Sequence, residues 1–142
     1  MKIKNSDTVE ASEKVLKENL TKALPMLEKA GIVGLIEPIN PYWVPNYFLN
    51  DFDLGLKIVE ELNHPNLRMM LDLFHLQYLK GNMTNNIKKY LPWSGHVQLA
   101  QVPTRDVQSL GKMTKNYTVK NIFLEKNQYY FVSRQQDVDK SM

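Results

Sequence analysis

The 142-residue sequence is 43% hydrophobic and 23% charged, an ordinary globular composition that argues against disorder of the whole chain. Its formal net charge is only +3 and its lysines form no tract, so nucleic acid is not expected as a partner. Cysteine is absent, which excludes disulfides and thiolate metal sites, and no apolar signal core or run of ~18 apolar residues occurs, which predicts a cytoplasmic protein outside the membrane.

The first predicted element is a helix that begins near Asp7, because Asp7 and Glu10 have the spacing of a capping box. Pro25 lies inside the pattern and is expected to bend the helix, since proline lacks a backbone donor. Gly31 is expected to end it in the left-handed conformation. One apolar stripe runs along this helix at Leu16, Leu20, Leu24 and Leu27.

Two short apolar runs each end in a carboxylate. Ile32–Ile36 is followed by Glu37, and Leu67–Leu71 is followed by Asp72, with His75 three residues further on. Such runs are typical of parallel strands buried under helices, and an acid at the carboxyl end of a barrel strand is a candidate ligand or base. The alternative is that Asp72 only caps the next helix and that His75 packs beneath a loop.

The remaining segments alternate between helix and strand. Residues 38–50 are rich in proline and aromatic residues, and we expect a loop that folds over the strand end as a lid or packs on the rim. A helix capped by Asn50 or Asp51 should follow. After the second strand we expect a short helix through Phe74 and Leu79, a helix capped by Thr84 that runs to Tyr90, and an alternating strand at His96–Val102.

This order predicts an α/β fold in which parallel strands alternate with helices. A closed (β/α)8 barrel needs about 250 residues, and three strands cannot close one. The chain is therefore expected to form a partial TIM barrel.

Parallel strands in register would bring Glu37, Asp72 and Gln98 to one edge of the sheet, with His75 and Arg105 just outside. Oxygen ligands without sulfur suit a hard divalent cation, Mg²⁺ or Mn²⁺. A carboxylate there could move a proton between adjacent carbons, and Arg105 could bind a substrate carboxylate through two parallel hydrogen bonds. An aldose-ketose type isomerase needs these functional groups, although each residue taken separately also has a structural explanation.

Three motifs occur in order along the chain. They are Gly-Leu-Ile-Glu-Pro-Ile-Asn at 34–40, Leu-Asp-Leu-Phe-His-Leu-Gln at 71–77 with Gly-Asn-Met-Thr at 81–84, and Gly-His-Val-Gln-Leu-Ala-Gln-Val-Pro-Thr-Arg at 95–105. Together they resemble the later half of the hydroxypyruvate isomerase family of xylose-isomerase-like TIM barrels. The resemblance implies a small hydroxy-carbonyl acid as substrate and interconversion of hydroxypyruvate and 2-hydroxy-3-oxopropanoate (tartronate semialdehyde) through an enediolate.

The same resemblance implies a role for each candidate residue. Glu37 would be a metal ligand and the acid/base residue. Asp72 and Gln98 would be further metal ligands, and His75 and Arg105 would contact the substrate.

The resemblance ends after the third motif. Asp106 and Val107 stand where the family has Glu-Pro, Lys112 replaces an acid, and the last-strand motif with the second acid/base Glu is absent. We therefore expect a partial barrel over residues 1–106 and a divergent C-terminal tail over residues 107–142, with a short strand near residues 128–132. Glu125 lies in a plausible helix of this tail and receives no role.

Two other hypotheses remain. A truncated half-barrel could be catalytically inactive and act only as an interaction partner, because a relay that needs two carboxylates cannot run fully with one. Its exposed barrel edges would favour self-association. A metal-cluster nuclease of the same superfamily is disfavoured because the only histidines are His64, His75 and His96.

Overall fold

The computed structural model describes residues 8–100 and 102–103, together with the backbone of residues 131–132. Within these ranges helices alternate with strands, which confirms the predicted α/β fold. A single 3-10 turn at Leu91–Trp93 precedes the third strand. The elements in chain order are α1 (Val9–Ala30), β1 (Gly34–Ile36), α2 (Phe52–Leu62), β2 (Leu67–Asp72), α3 (Leu73–Leu79), α4 (Met83–Tyr90), β3 (Ser94–Gln98) and β4 (Phe131–Val132).

The four strands form one sheet in the order β1-β2-β3-β4, and every neighbouring pair is parallel. β4 falls within the predicted strand at residues 128–132, of which residues 128–130 lie outside the described ranges.

The helices cover one face of the sheet, where the strand side chains are buried. These buried strand residues are Ile36, Leu67, Met69, Leu71 and Val97. The opposite face is more open, since Leu35 on it remains 36% exposed.

The pairing of β2 with β3 contains one irregularity, beside Met69, where Gly95 is the extra residue of a bulge. A Cβ atom at position 95 would lie 2.8 Å from Cδ2 of Leu35 and 2.9 Å from Cβ of Arg68, so the neighbouring side chains leave no room there for a larger residue. Beyond the bulge, Asp72 and Gln98 are direct partners across the two strands. The bulge thereby sets the register in which these two residues meet.

Helix α1 begins one residue later than the capping box predicts. The Thr8 hydroxyl accepts a hydrogen bond from the backbone N–H of Ala11 at 3.1 Å, and Thr8 is therefore the N-cap, whereas Asp7 lies outside the described residues. The helix continues through Pro25 and ends at Gly31 as expected, with φ +65°. None of the helices in the described part of the chain is long and apolar enough to cross a membrane.

Three further boundaries differ from the sequence-based expectation. Helix α4 starts at Met83, so Thr84 lies inside it, and the cap position is taken by Asn82 in the left-handed conformation. Strand β1 starts only at Gly34, because the N–H of Ile32 is still bonded to a carbonyl of α1. Strand β3 starts at Ser94 and ends at Gln98, which is earlier at both ends than the predicted span of 96–102. The Asp51 cap of α2 is confirmed.

An ion-pair cluster around Asp53 joins α2 to the two helices that follow β2. Its carboxylate accepts hydrogen bonds from Lys80 Nζ at 2.6 Å, Lys89 Nζ at 2.6 Å and the Tyr90 hydroxyl at 2.7 Å. The hydrogen bond from Lys80 is the largest cause of a lowered pKa, followed by those from Lys89 and Tyr90. Together they hold the pKa of the Asp53 carboxyl well below its ordinary value of 3.8. The cluster fixes the helices that surround the carboxyl end of β2.

We expect Asp53→Asn to lower the free energy of unfolding by about 1 kcal/mol at neutral pH, because the side chain is half exposed and solvent weakens its ion pairs. A carboxylate with a lowered folded-state pKa stabilises above its unfolded pKa and loses that contribution as the pH falls. The difference between wild type and variant should therefore shrink below about pH 4. Urea denaturation at several pH values measures it. Glu60→Gln, which removes a charge from the exposed side of the same helix, is the control, and an equal effect of both variants would contradict the prediction.

Candidate metal centre

Three predicted site residues lie where β1, β2 and β3 end. Glu37 directly follows β1, Asp72 is the last residue of β2, and Gln98 is the last residue of β3. Asp72 and Gln98 are paired across neighbouring parallel strands, so their side chains project from the same face of the sheet. The expected convergence at one edge is therefore present in the fold.

Glu37, Asp72 and His75 form a compact cluster at this edge. One potential ligand atom from each lies within 4.8 Å of the other two. The Nε2 atom of His75 is 3.6 Å from Oδ2 of Asp72 and 3.8 Å from Oε1 of Glu37. Asp72 and His75 are each only 1% exposed, whereas Glu37 is half-buried. Two carboxylates this close in a partly shielded site attract a cation, and the cluster is therefore a candidate metal site.

Asp72 caps α3 and also belongs to the cluster of Glu37, Asp72 and His75. Its Oδ1 atom accepts a hydrogen bond from the backbone N–H of Phe74 at 2.9 Å and caps α3. Its Oδ2 atom faces His75. The capping bond thus fixes the rotamer of the carboxylate and directs its second oxygen into the cluster.

The other side of the His75 ring contacts Asn40, a residue of the loop after β1. The Nδ1 atom of His75 lies 2.8 Å from Nδ2 of Asn40 and 3.4 Å from its backbone nitrogen. The ring of Phe74 packs edge-on against the imidazole, with centroids 5.3 Å apart. His75 is therefore not merely packed beneath a loop, because both ring nitrogens face polar groups.

A cavity of about 270 Å³ opens beside Glu37. Tyr47 lines it, and burial together with the negative charge of Glu37 raises the pKa of the Tyr47 hydroxyl. That hydroxyl is therefore a neutral hydrogen-bond donor at ordinary pH. The remaining walls are mostly apolar and include Leu35 and Met70 from the open face of the sheet.

The aromatic loop at residues 38–50 packs against α3 at the rim of the site. Trp43 meets Phe74 edge-on with centroids 5.4 Å apart, and Tyr42 lies 6.1 Å from Tyr78. Phe48 is buried and joins the core. These contacts fit a rim of packed aromatic residues, while movement of the loop as a lid stays a prediction.

The family description "Xylose isomerase-like TIM barrel" matches residues 3–119, which is most of the chain. The chain belongs to this xylose isomerase-like family. The resemblance and the partial TIM barrel expected from the sequence are thereby confirmed.

Two curated relatives and one solved structure illustrate the similarity. A zebrafish (Danio rerio) protein named "Putative hydroxypyruvate isomerase" is 47% identical over 88 residues, which are 61% of this chain and 32% of the relative. Hydroxypyruvate isomerase from Escherichia coli (strain K12) is 35% identical over 107 residues, 75% of this chain and 42% of the relative. The crystal structure of AP endonuclease, family 2 from Brucella melitensis has a TM-score of 0.76 at 31% identity, covering 84% of this chain and 46% of that chain. The chain thus spans less than half the length of these relatives.

The xylose isomerase-like chain brings together four of the five predicted site residues. Glu37, Asp72 and His75 form the cluster, and Gln98 is the strand partner of Asp72. Arg105 lies outside the described residues, as does Glu125 of the tail. Sequence reasoning assigned no role to Asn40, although its place three residues after Glu37 in the first motif was a signal that could have suggested one.

We expect Asp72→Asn to weaken Mn²⁺ binding at least ~10-fold, because the amide keeps the cap of α3 but removes one charge from the ligand set. Calorimetric titration of the purified chain with Mn²⁺ measures the affinity. Asp51→Asn is a matched control, since Asp51 also caps a helix through Oδ1, with a bond of 2.7 Å to the N–H of Asp53. Equal Mn²⁺ affinities of wild type and Asp72→Asn would contradict a metal site at this carboxylate.

Proposed function

We propose that this chain acts as an isomerase on a small hydroxy-carbonyl acid and interconverts hydroxypyruvate and 2-hydroxy-3-oxopropanoate. The observation that carries the proposal is the cluster of Glu37, Asp72 and His75 at the carboxyl edge of the sheet, the edge at which barrel enzymes of this type hold their active sites. The similarity to hydroxypyruvate isomerase from Escherichia coli supports this choice of substrate class.

Glu37, Asp72 and Gln98 would hold a divalent cation, with Mg²⁺ or Mn²⁺ as the expected metals. The set consists of two carboxylates and one amide, and such oxygen ligands fit a hard cation. When bound, the ion polarises a carbonyl and the adjacent hydroxyl of the substrate.

Glu37 is the proposed acid/base residue. The reaction moves one proton from C3 to C2 of hydroxypyruvate and one from the C3 hydroxyl to the C2 oxygen, so no redox partner is required. A half-buried carboxylate beside an open cavity can reach such a carbon and remains partly shielded from water.

His75 and Arg105 are the proposed substrate contacts. The imidazole Nε2 lies between the carboxylates of Glu37 and Asp72, where it can reach an oxygen of a bound substrate. Arg105 would pair with the substrate carboxylate through its two-pronged guanidinium group.

An inactive half-barrel that serves as an interaction partner is the second candidate. It is favoured by exposed apolar side chains directly before β1, where Ile32 is 54% exposed and Val33 is 48% exposed. The open face of the sheet, with Leu35 at 36% exposure, would then contact another protein or a second copy of the chain.

A metal-cluster nuclease is disfavoured by the placement of the histidines as well as by their number. His64 lies in the turn after α2, where its Nδ1 accepts a hydrogen bond from the N–H of Asn66 at 3.1 Å. Among the residues that the structure describes, His75 alone of the three histidines belongs to the carboxylate cluster.

We expect the purified chain to convert hydroxypyruvate in the presence of Mg²⁺ or Mn²⁺, and Glu37→Gln to lower kcat by roughly 10²–10⁴-fold because it removes the positioned base. A coupled assay for the aldehyde product measures turnover. Glu28→Gln, which changes an exposed glutamate of α1, should leave the rate unchanged.

The outcome separates the two candidates. Unchanged turnover in Glu37→Gln would contradict the proposed role of this carboxylate. Lack of turnover by a chain that is folded and binds Mn²⁺ would instead support the inactive half-barrel.

A further inference from the structure

Asn40 is a buried polar residue that the proposed reaction does not yet use. It is only 1% exposed and lies in the loop after β1, three residues beyond Glu37. A buried amide is costly unless it forms hydrogen bonds. The partners of Asn40 therefore indicate what the residue contributes to the site.

The orientation of the Asn40 amide follows from its two sides. Its Oδ1 atom accepts a hydrogen bond from the backbone N–H of Trp43 at 2.9 Å. An N–H group only donates, so the oxygen must be on this side, and the NH₂ group then faces Nδ1 of His75 at 2.8 Å. The backbone N–H of Asn40 points at the same ring nitrogen from 3.4 Å.

These donors determine which nitrogen of His75 carries hydrogen. A ring nitrogen that faces N–H donors must accept, so the lone pair is on Nδ1 and the neutral ring carries its hydrogen on Nε2. Nε2 is the atom that faces Glu37 and Asp72. The carboxylate cluster therefore meets an N–H donor of His75 and not a lone pair that could bind a metal ion.

We propose that Asn40 is a positioning residue that holds His75 in the tautomer with hydrogen on Nε2. His75 then donates a hydrogen bond at the edge of the metal centre and stays out of the ligand set. The value of this arrangement for substrate binding rests on the proposed function, because the donor would serve a substrate oxygen, whereas the tautomer itself does not depend on turnover.

The geometry around Asn40 supports a fixed and not an adaptable contact. Trp43, which donates to the Asn40 oxygen, packs edge-on against Phe74, and Phe74 packs edge-on against the His75 ring. The Asn40 amide and the His75 ring are thus connected both by their direct contact and by the packing of Trp43 and Phe74. Reversal of the amide would place its NH₂ group against the backbone N–H of Trp43, bring two donors together and lose the hydrogen bond at Trp43.

Nitrogen-15 NMR of the imidazole rings in the full 142-residue chain, free of metal and at a pH of about 8, tests the proposal, since histidine is then ordinarily neutral. The chain has three histidines, and His64→Gln and His96→Gln assign the two that are not under test. His64 serves as an internal reference, because its Nδ1 also accepts a backbone hydrogen bond.

We expect wild-type His75 to show an unprotonated Nδ1 and a protonated Nε2, both before and after addition of Mg²⁺. A protonated Nδ1 in the wild type, or loss of the Nε2 hydrogen when Mg²⁺ is added, would overturn the proposal. This part of the test needs no variant and no activity, so a failed turnover assay leaves its result standing.

Asn40→Asp is the decisive variant, because the carboxylate keeps an acceptor for the Trp43 N–H and replaces the donor toward His75 by a second acceptor. We expect the His75 Nδ1 signal to change to that of a protonated nitrogen. Asn86→Asp is the matched control, since the Asn86 amide donates to the Gly81 carbonyl at 2.8 Å, and it should leave the His75 signals unchanged. An unprotonated Nδ1 in Asn40→Asp would show that Asn40 does not set the tautomer.

Discussion

The register of β2 against its two neighbours is the constraint on which the site depends. Parallel pairing brings the ends of β1, β2 and β3 to one edge, but only a particular alignment places the acid of β2 beside the polar residues of the other two strands. Gly95 provides it, because the bulge there advances β3 by one residue and makes Gln98 the partner of Asp72. A shift by one residue would turn the side chain of Gln98 to the helix-covered face.

The fold accommodates buried polar groups in this site by giving each of them a hydrogen-bond partner. Asp72 is almost completely buried, and its carboxylate accepts a hydrogen bond from the backbone N–H of Phe74 at the start of α3 and lies 3.6 Å from Nε2 of His75. Among the described residues no buried side-chain nitrogen or oxygen lacks a hydrogen-bond partner. Since an unsatisfied buried polar group costs about 1–3 kcal/mol, the arrangement lets the core of the sheet tolerate the residues that the proposed chemistry needs.

The partial barrel has consequences for both candidate functions. Helices cover one face of the sheet, while the face that carries Leu35, Met70 and Gln98 is the one that points inward in a closed barrel. The cavity beside Glu37 is bounded partly by this face. The same surface therefore serves either as one wall of a substrate site or as an apolar contact surface, and the two uses differ in whether the carboxylate cluster is active.

The sequence by itself determined the order and type of the elements from α1 to β3, the acids at the two strand ends and the family, because hydrophobic periodicity, glycine and proline positions and motif spacing are local properties. It misplaced several boundaries by one to four residues, because element ends depend on local geometry: the Thr8 hydroxyl caps α1, whereas α4 follows Asn82 in the left-handed conformation with no side-chain cap hydrogen bond. Only the tertiary structure decided the bulge at Gly95 and the contact between Asn40 and His75. Both join residues that lie far apart in the chain, and the energy of such contacts depends on packing that no local pattern encodes.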